Sequence, residues 1–427
     1  MLLSALLLDP LSSYNLIIEA SVILILSFAF GEISRLTNIP AVLLLIVLGI
    51  GLKFGLDFIG LDDINFFPYL EILGIVGLIM IVLEAALELE LRRDKTIPIL
   101  KALGIAFVGL MASTYFAAIV LNYFIPGMDM SRAWIYATPL SILSSAIIIP
   151  SVVGLKPKKK EFHVYESTFS DILGIMLFYF LTGQVDAAEH SSGLLGFSGN
   201  VLLTIVISLI ASYLIVIIFQ RIKSHVKLFL LIAVLLLLYA LGKKMHLSSL
   251  IIILIFGLLI ANMELFFQGP LKRFLNKEQA HDIYEGLHVV TMETAFVVRT
   301  FFFVIFGMTI VLSSLASVNV ALVSLLIIAS IYLIRWIILR VSLGPDIKPQ
   351  LYIAPRGLIT ILLFYAIPTE IQVPGFNSGI LLFIIIGTSI IMTIALIMDK
   401  RRTNAAINEA KARPVGYVRW KAPEIEG

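Results

Sequence analysis

Thirteen apolar runs, most of them about as long as a bilayer is thick, constrain this chain more than any other feature. They cover roughly 14–31, 40–56, 69–91, 98–124, 132–154, 161–183, 197–220, 226–242, 247–263, 289–312, 318–340, 350–368 and 379–398. The hydrocarbon core of a bilayer takes about 20 residues of helix. The runs are continuous rather than alternating, so helices and not barrel strands are the spanning element. Of the 427 residues, 60% are hydrophobic and only 14% charged, against about a quarter charged in a soluble domain. Water cannot be the solvent for that much apolar surface. The expected fold is an all-α integral membrane protein of about 13 transmembrane helices.

The basic residues set the orientation. With the N-terminus outside and the segments alternating, the inner loops collect Arg35, Arg92, Arg93, Lys95, Lys156, Lys158, Lys159, Lys160, Arg221, Lys223, Lys227, Lys272, Arg273, Lys277, Arg340 and Lys348, and the tail adds Lys400, Arg401 and Arg402. The outer loops hold Lys53, Arg132, Lys243 and Lys244. Such asymmetry is the positive-inside pattern, and it places the C-terminus in the cytoplasm of a cell membrane, as in a bacterial inner membrane. The stretch 264–288 mixes polar and apolar residues and is expected to lie along the inner surface as an amphipathic helix. Residues 401–427 form a short tail rich in charge, too short for a regulatory domain. A net charge of +3 gives no reason to expect nucleic acid. The absence of cysteine excludes disulfides and thiolate metal sites. No nucleotide-binding loop is present, and no cofactor is expected.

Ionisable groups inside spans are costly and point to function. Here they are Glu19, Glu71, Glu84, Glu166, Asp171, Glu293, Arg299, Arg335 and Arg356. Asp171 falls near the centre of segment six. A lone aspartate at that depth can hold either a proton or a metal ion, which is the chemistry of a proton-coupled exchanger; the plainer reading is a structural aspartate paired with a cation. Ser167 lies one turn earlier on the same helix face and Ser170 is adjacent. Their hydroxyls suit a hard monovalent cation that must shed water, although serines also help membrane helices pack. Glu166 and Arg335 each sit five residues from the inner end of their segments, six and eleven. Equal depth predicts an ion pair, and stranding either partner would be costly. Glu84 lies in the inner half of segment three and could face the same cavity. Arg299 lies at mid-depth in segment ten, with Glu293 and Asp171 as candidate partners. Glu19 and Glu71 are near outer ends and reach the interface.

Segments five and twelve carry interior prolines, in Ser144-Ser145-Ala146-Ile147-Ile148-Ile149-Pro150-Ser151 and in Tyr352-Ile353-Ala354-Pro355-Arg356-Gly357. Proline removes a helical hydrogen bond. The two segments are seven apart and cross in opposite directions, as an inverted six-helix repeat with a linker helix requires. Interrupted helices at matching places in two halves mark a transporter's ion site.

These residues resemble the cation/proton antiporters, in particular the NhaP-like sodium/proton exchangers. The run Glu166-Ser167-Thr168-Phe169-Ser170-Asp171 is similar to that family's Glu-Ser-x-x-Asn-Asp motif, and Leu83-Glu84-Ala85-Ala86-Leu87-Glu88 resembles its third-helix signature. Leu333-Ile334-Arg335-Trp336 and Arg356-Gly357 resemble its eleventh-helix arginine and twelfth-helix Arg-Gly step. The resemblance implies that Asp171 alternates between proton and cation, Ser167 supplies an oxygen ligand, Glu84 acts through water at the site's edge, and Glu166 with Arg335 braces the core. Ser170 and Ser145 stand where the family places further ion-site residues, and Arg356 and Arg299 would modulate the site. The resemblance also implies crossed, partly unwound segments five and twelve. A moving core (about 98–183 and 318–398) would be displaced, elevator-like, against a dimerising scaffold (about 1–97 and 184–317), the whole forming a transmembrane region 1–400. Two departures stand out: Ser170 replaces the family's Asn, and Ser145-Ala146-Ile147 lacks the carboxylate of the family's Thr-Asp pair. One central carboxylate suggests electroneutral exchange of one cation for one proton. Sodium or lithium is the first expectation and potassium the alternative, followed by a channel or sensor of the same fold that no longer transports. An intramembrane enzyme would need a catalytic pair, but a single aspartate is deep and all six histidines fall in loops or at span ends.

Overall fold

A computed structural model describes residues 13–37, 39–58, 67–89, 91, 95–189, 194–222, 227–244, 249–268, 276–310 and 317–412. Among them there is no strand. The helices are α1 (Ser13–Thr37), α2 (Ala41–Phe58), α3 (Phe67–Glu88), α4 (Thr96–Phe124), α5 (Met130–Ser141), α6 (Ser145–Ser151), α7 (Pro157–Glu189), α8 (Leu194–Phe219), α9 (Lys227–Lys244), α10 (Ser249–Ala261), α11 (Lys277–Thr309), α12 (Val318–Leu343), α13 (Leu358–Tyr365) and α14 (Gly379–Ala412). A single helical turn, Met263–Phe266, follows α10. By length and composition, seven of these stretches can cross a membrane among the described residues, with α5 and α6 taken together as one. The side chains of Glu19 and Glu71, and those from residue 401 onward, lie outside what is described.

The helices pack in two sets. In one, α11 lies along α2 and α3, α10 packs on α3 and α8, α9 on α10, and α1 on α2. In the other, α4 packs on α5, α7 and α12, α12 on α14, and α7 on α5 and α6. The sets meet where α3 touches α7 and α13 and where α7 touches α8 and α10. Within the first set α2 and α11 approach at backbone distance: a Cβ at Gly49 would run into the Val304 carbonyl, and one at Gly307 into the Ile46 carbonyl. Small residues permit this kind of membrane helix contact. Asn262 then ties the end of α3 to α10. It donates to the Leu89 carbonyl (2.8 Å) and accepts the Leu91 amide.

Of the surface helix expected over 264–288, residues 269–275 lie outside what is described, and residues 277–288 are not a separate helix. Residues 277–309 form one helix, capped by Asn276, whose side chain accepts from Gln279 N (3.3 Å). Nothing interrupts it between the polar inner part and the apolar span. Its inner turns bury Ala280, Ile283 and Leu287, and the Tyr284 hydroxyl donates to the Leu87 carbonyl (3.2 Å). The amphipathic pattern therefore reflects one face packed on protein.

Segments five and twelve are both interrupted. In segment five the helix stops after Ser141, runs extended through Ile142–Ser144, and restarts at Ser145. The prolines do not mark that point: Pro139 lies inside α5 and Pro150 in the last turn of α6. In segment twelve, Ile353–Gly357 is non-helical between a 3-10 turn (Gln350–Tyr352) and α13. The two non-helical stretches cross, and Ser144 N donates to the Pro355 carbonyl (3.0 Å). Gly357 permits the close crossing, since a Cβ there would lie 2.5 Å from Ser144 Oγ and 2.9 Å from Ile147 Cδ1.

Candidate functional site

The site grows from one polar stripe on α7. His163, Glu166, Ser167, Ser170 and Asp171 follow a spacing of three or four residues, which puts them on one helix face. Every one of them is buried, at 2% exposure or less. A polar stripe at this depth must find its partners in protein, and the two interrupted segments provide them.

Where a helix restarts, its first amides have no helical carbonyl to bond. At the break in segment five, three successive amides find three different acceptors. Leu143 N donates to Ser170 Oγ (3.0 Å), Ser144 N to the Pro355 carbonyl (3.0 Å), and Ser145 N to Asp171 Oδ2 (3.3 Å). Two of these acceptors come from the stripe and one from the opposite break. The second Asp171 oxygen, Oδ1, is buried and has no hydrogen-bond partner among the described residues. A buried carboxylate oxygen without a partner is costly. A proton on it or a cation beside it would remove that cost.

The other sequence-selected residues fall into four groups. Ser167 lies a turn below Asp171, and its hydroxyl donates to the His163 carbonyl (2.7 Å), which leaves its oxygen lone pairs for another ligand. Glu166 and Arg335 are paired bidentately, Nη1 to Oε1 at 2.7 Å and Nη2 to Oε2 at 2.9 Å. Arg335 also donates to the Gln350 carbonyl from Nε (3.1 Å) and Nη2 (3.0 Å), and so ties α7 to the start of the second interrupted segment. Arg356, 2% exposed, serves the first break: its Nε donates to the Leu140 carbonyl at the end of α5 and its Nη1 to Ala354 O, both at 2.9 Å. Its own amide donates to Thr388 Oγ1 (3.1 Å). A cation thus sits at the free carbonyl end of a half-helix, where the backbone is electronegative.

Arg299 pairs with Glu84, Nη2 to Oε1 at 2.9 Å, and not with either partner named from the sequence. Glu293 is exposed, and Asp171 stands on α7 with its own partner. The Arg299–Glu84 pair joins α11 to α3 within the first helix set.

Two further groups were not singled out in the sequence. His163 is wholly buried beside the ion pair, with Nδ1 3.5 Å from Glu166 Oε2. Its place on the stripe, three residues before Glu166, was the available signal. Glu88, one turn after Glu84, is half-buried. A cavity of about 30 Å³, lined by Ser113, Ser141, Glu166, Ser170, Arg335 and Arg356 among others, lies behind the ion pair. It has room for about one water molecule, and Asp171 does not line it.

Residues 21–398 match the family described as sodium/hydrogen exchanger, transmembrane. Two solved structures of the sodium proton antiporter MjNhaP1 from Methanocaldococcus jannaschii are similar in fold. One, determined at pH 8, has a TM-score of 0.64 at 23% identity, covering 89% of this chain and 94% of that one. The other, from an electron-microscopy map, has a TM-score of 0.63 at 19% identity, covering 97% and 100%. No curated protein matches the sequence.

Proposed function

This chain belongs to the sodium/hydrogen exchanger family, and from that premise we propose that it exchanges sodium or lithium for protons, one for one, with Asp171 carrying either the cation or the proton. The observation that carries this reading is the Asp171 carboxylate, buried at the crossing of two interrupted segments with one oxygen held by Ser145 N and the other unpartnered. Its neighbours suit the task. Ser167 has lone pairs free, Ser145 opens the half-helix, and Ser170 Oγ accepts the Leu143 amide and so braces the break. The Arg335–Glu166 pair fixes the helix that carries Asp171, and Arg356 fixes the break. Because no second carboxylate occupies the Ser145-Ala146-Ile147 stretch, a single negative charge would bind either one cation or one proton. That makes the cycle electroneutral.

Alternating access would come from a shift of the set holding α4–α7 and α12–α14 against the set holding α1–α3 and α8–α11. The self-packed character of the two sets supports the division at about 98–183 and 318–398 against 1–97 and 184–317. The scaffold set would carry a homodimer interface, the N-terminal end would lie outside, and the C-terminal end would lie in the cytoplasm, following the basic loops.

Reconstitution into liposomes with a trapped pH dye tests the proposal. Sodium or lithium, added against an imposed pH gradient, is expected to drive proton movement without a membrane potential. A response confined to potassium would reassign the cation. The missing carboxylate in segment five favours one further reading, a non-transporting sensor or channel of the same fold, and silence with all three cations would replace exchange by it.

A further inference from the structure

The cavity of about 30 Å³ behind the ion pair gathers polar groups with hydrogen-bonding capacity to spare. Arg356, Glu166, Arg335, Ser113, Ser141 and Ser170 line it, and apolar residues of α4 and α12 complete the wall. Arg356 is buried, and its Nε and Nη1 are spent on the Leu140 and Ala354 carbonyls. Its Nη2 has no partner, and no carboxylate pairs with it, among the described residues. The Ser113 hydroxyl, on a residue 5% exposed, is likewise unpartnered among the described residues. Ser170 Oγ accepts the Leu143 amide (3.0 Å), and its own proton is uncommitted. On the acceptor side, each Glu166 oxygen takes one Arg335 N–H, whereas an ionised carboxylate offers about four acceptor sites. Two wall residues, Ile105 and Leu339, also belong to a small buried cluster with Ile347 and Leu351, so the wall toward the loop after α12 is apolar.

We infer that this cavity is a binding site for one structural water molecule, which accepts from Arg356 Nη2 and donates to the Glu166 carboxylate. The size fits, because a water needs about 10–15 Å³ of such space and two to four polar partners. The charges on the wall decide the class of ligand. An anion would meet Glu166, and a cation would meet Arg335 and Arg356, in a membrane interior where repulsion between like charges is weakly screened. A neutral molecule that both donates and accepts answers both signs at once. A dry cavity would leave an arginine N–H and a serine hydroxyl unpaired in a low-dielectric interior, a cost that apolar cavities escape. The water joins two groups that make no direct contact. Arg356 already holds the carbonyl end of α5, and Glu166 already holds Arg335. The bridge makes the two interrupted segments and α7 one polar unit, with Glu166 answering two arginines.

A density map of the purified protein, at a resolution that shows ordered water, tests this together with unfolding midpoints in detergent. One peak is expected in the cavity, about 2.7–3.2 Å from Arg356 Nη2 and from a Glu166 oxygen. Ser113→Ala leaves both bridged groups in place, and the peak stays. Ser113→Val puts methyl groups into the space. The peak is then lost, and the midpoint falls below that of Ser113→Ala because Arg356 Nη2 is left unpaired. Replacing chloride by gluconate or bromide at constant ionic strength leaves the wild-type midpoint unchanged. If Ser113→Val does not fold, the wild-type map and the anion replacement carry the test. A map with no peak in the cavity, or a Ser113→Val midpoint above that of Ser113→Ala, makes the cavity a dry void and overturns the inference. A peak that bromide replaces, with a midpoint that follows the halide, makes the ligand an anion and overturns it as well.

Discussion

Removing either side of the Glu166–Arg335 pair should destabilise the protein far more than removing both. Each group is enclosed, with side-chain exposures of 2% and 9%, and the two share a bidentate contact at 2.7 and 2.9 Å. Truncating one partner strands the other as a buried charge, at a cost of about 3–5 kcal/mol. Arg335→Ala should cost more than Glu166→Ala, because it also frees the Gln350 carbonyl, which accepts twice from the guanidinium. Each net hydrogen bond adds about 1 kcal/mol. The double variant Glu166→Ala/Arg335→Ala leaves no unpaired charge, so its loss should fall short of the summed single losses by about 2 kcal/mol or more. The assay is unfolding of the purified protein in detergent, by heat or denaturant, on wild type, both single variants and the double. Losses that add to within about 0.5 kcal/mol would show that the pair is not energetically coupled and would refute the reasoning.

Two other variants probe the crossing. Ser170→Ala removes the acceptor of the buried Leu143 amide, and an unpaired buried amide costs about 1–3 kcal/mol; an unchanged unfolding midpoint would mean that the amide has another acceptor. Gly357→Ala forces a methyl group to within 2.5 Å of Ser144 Oγ. Overpacking of this kind costs about 1–3 kcal/mol, and it should slow exchange by prising the two interrupted segments apart. A variant that unfolds and exchanges like wild type would show that the crossing is loose.

Much of this architecture is legible in the sequence because lipid imposes one rule. Every backbone group must be satisfied within the chain, so apolar runs become helices, and each expected run from 14–31 to 379–398 overlaps a helix or a pair of half-helices. The Glu166–Arg335 pairing was legible too, because equal depth in two segments narrows the choice of partner. Arg299 was not. Its depth left several carboxylates open, and the choice turns on the rotation of α11 about its axis against α3, which no local pattern records. The break in segment five was ascribed to its proline for a related reason. What ends α5 is the trio of acceptors offered to the amides of Leu143, Ser144 and Ser145 by Ser170, Pro355 and Asp171, two of them on segment six and one on segment twelve. The inner half of α11 was taken for a surface helix because an amphipathic pattern looks the same whether its apolar face meets lipid or protein. His163 falls at the end of a span in the sequence, and only the packing of α7 encloses it.

The account stands on one carboxylate serving two ligands in turn, and proton release on cation binding tests that directly. Purified protein in weak buffer, titrated with sodium or lithium under a pH electrode or in a calorimeter, should release up to one proton for each cation bound. Asp171→Asn should remain folded and release none. Cation binding without proton release in the wild type, or undiminished release from Asp171→Asn, would contradict the account.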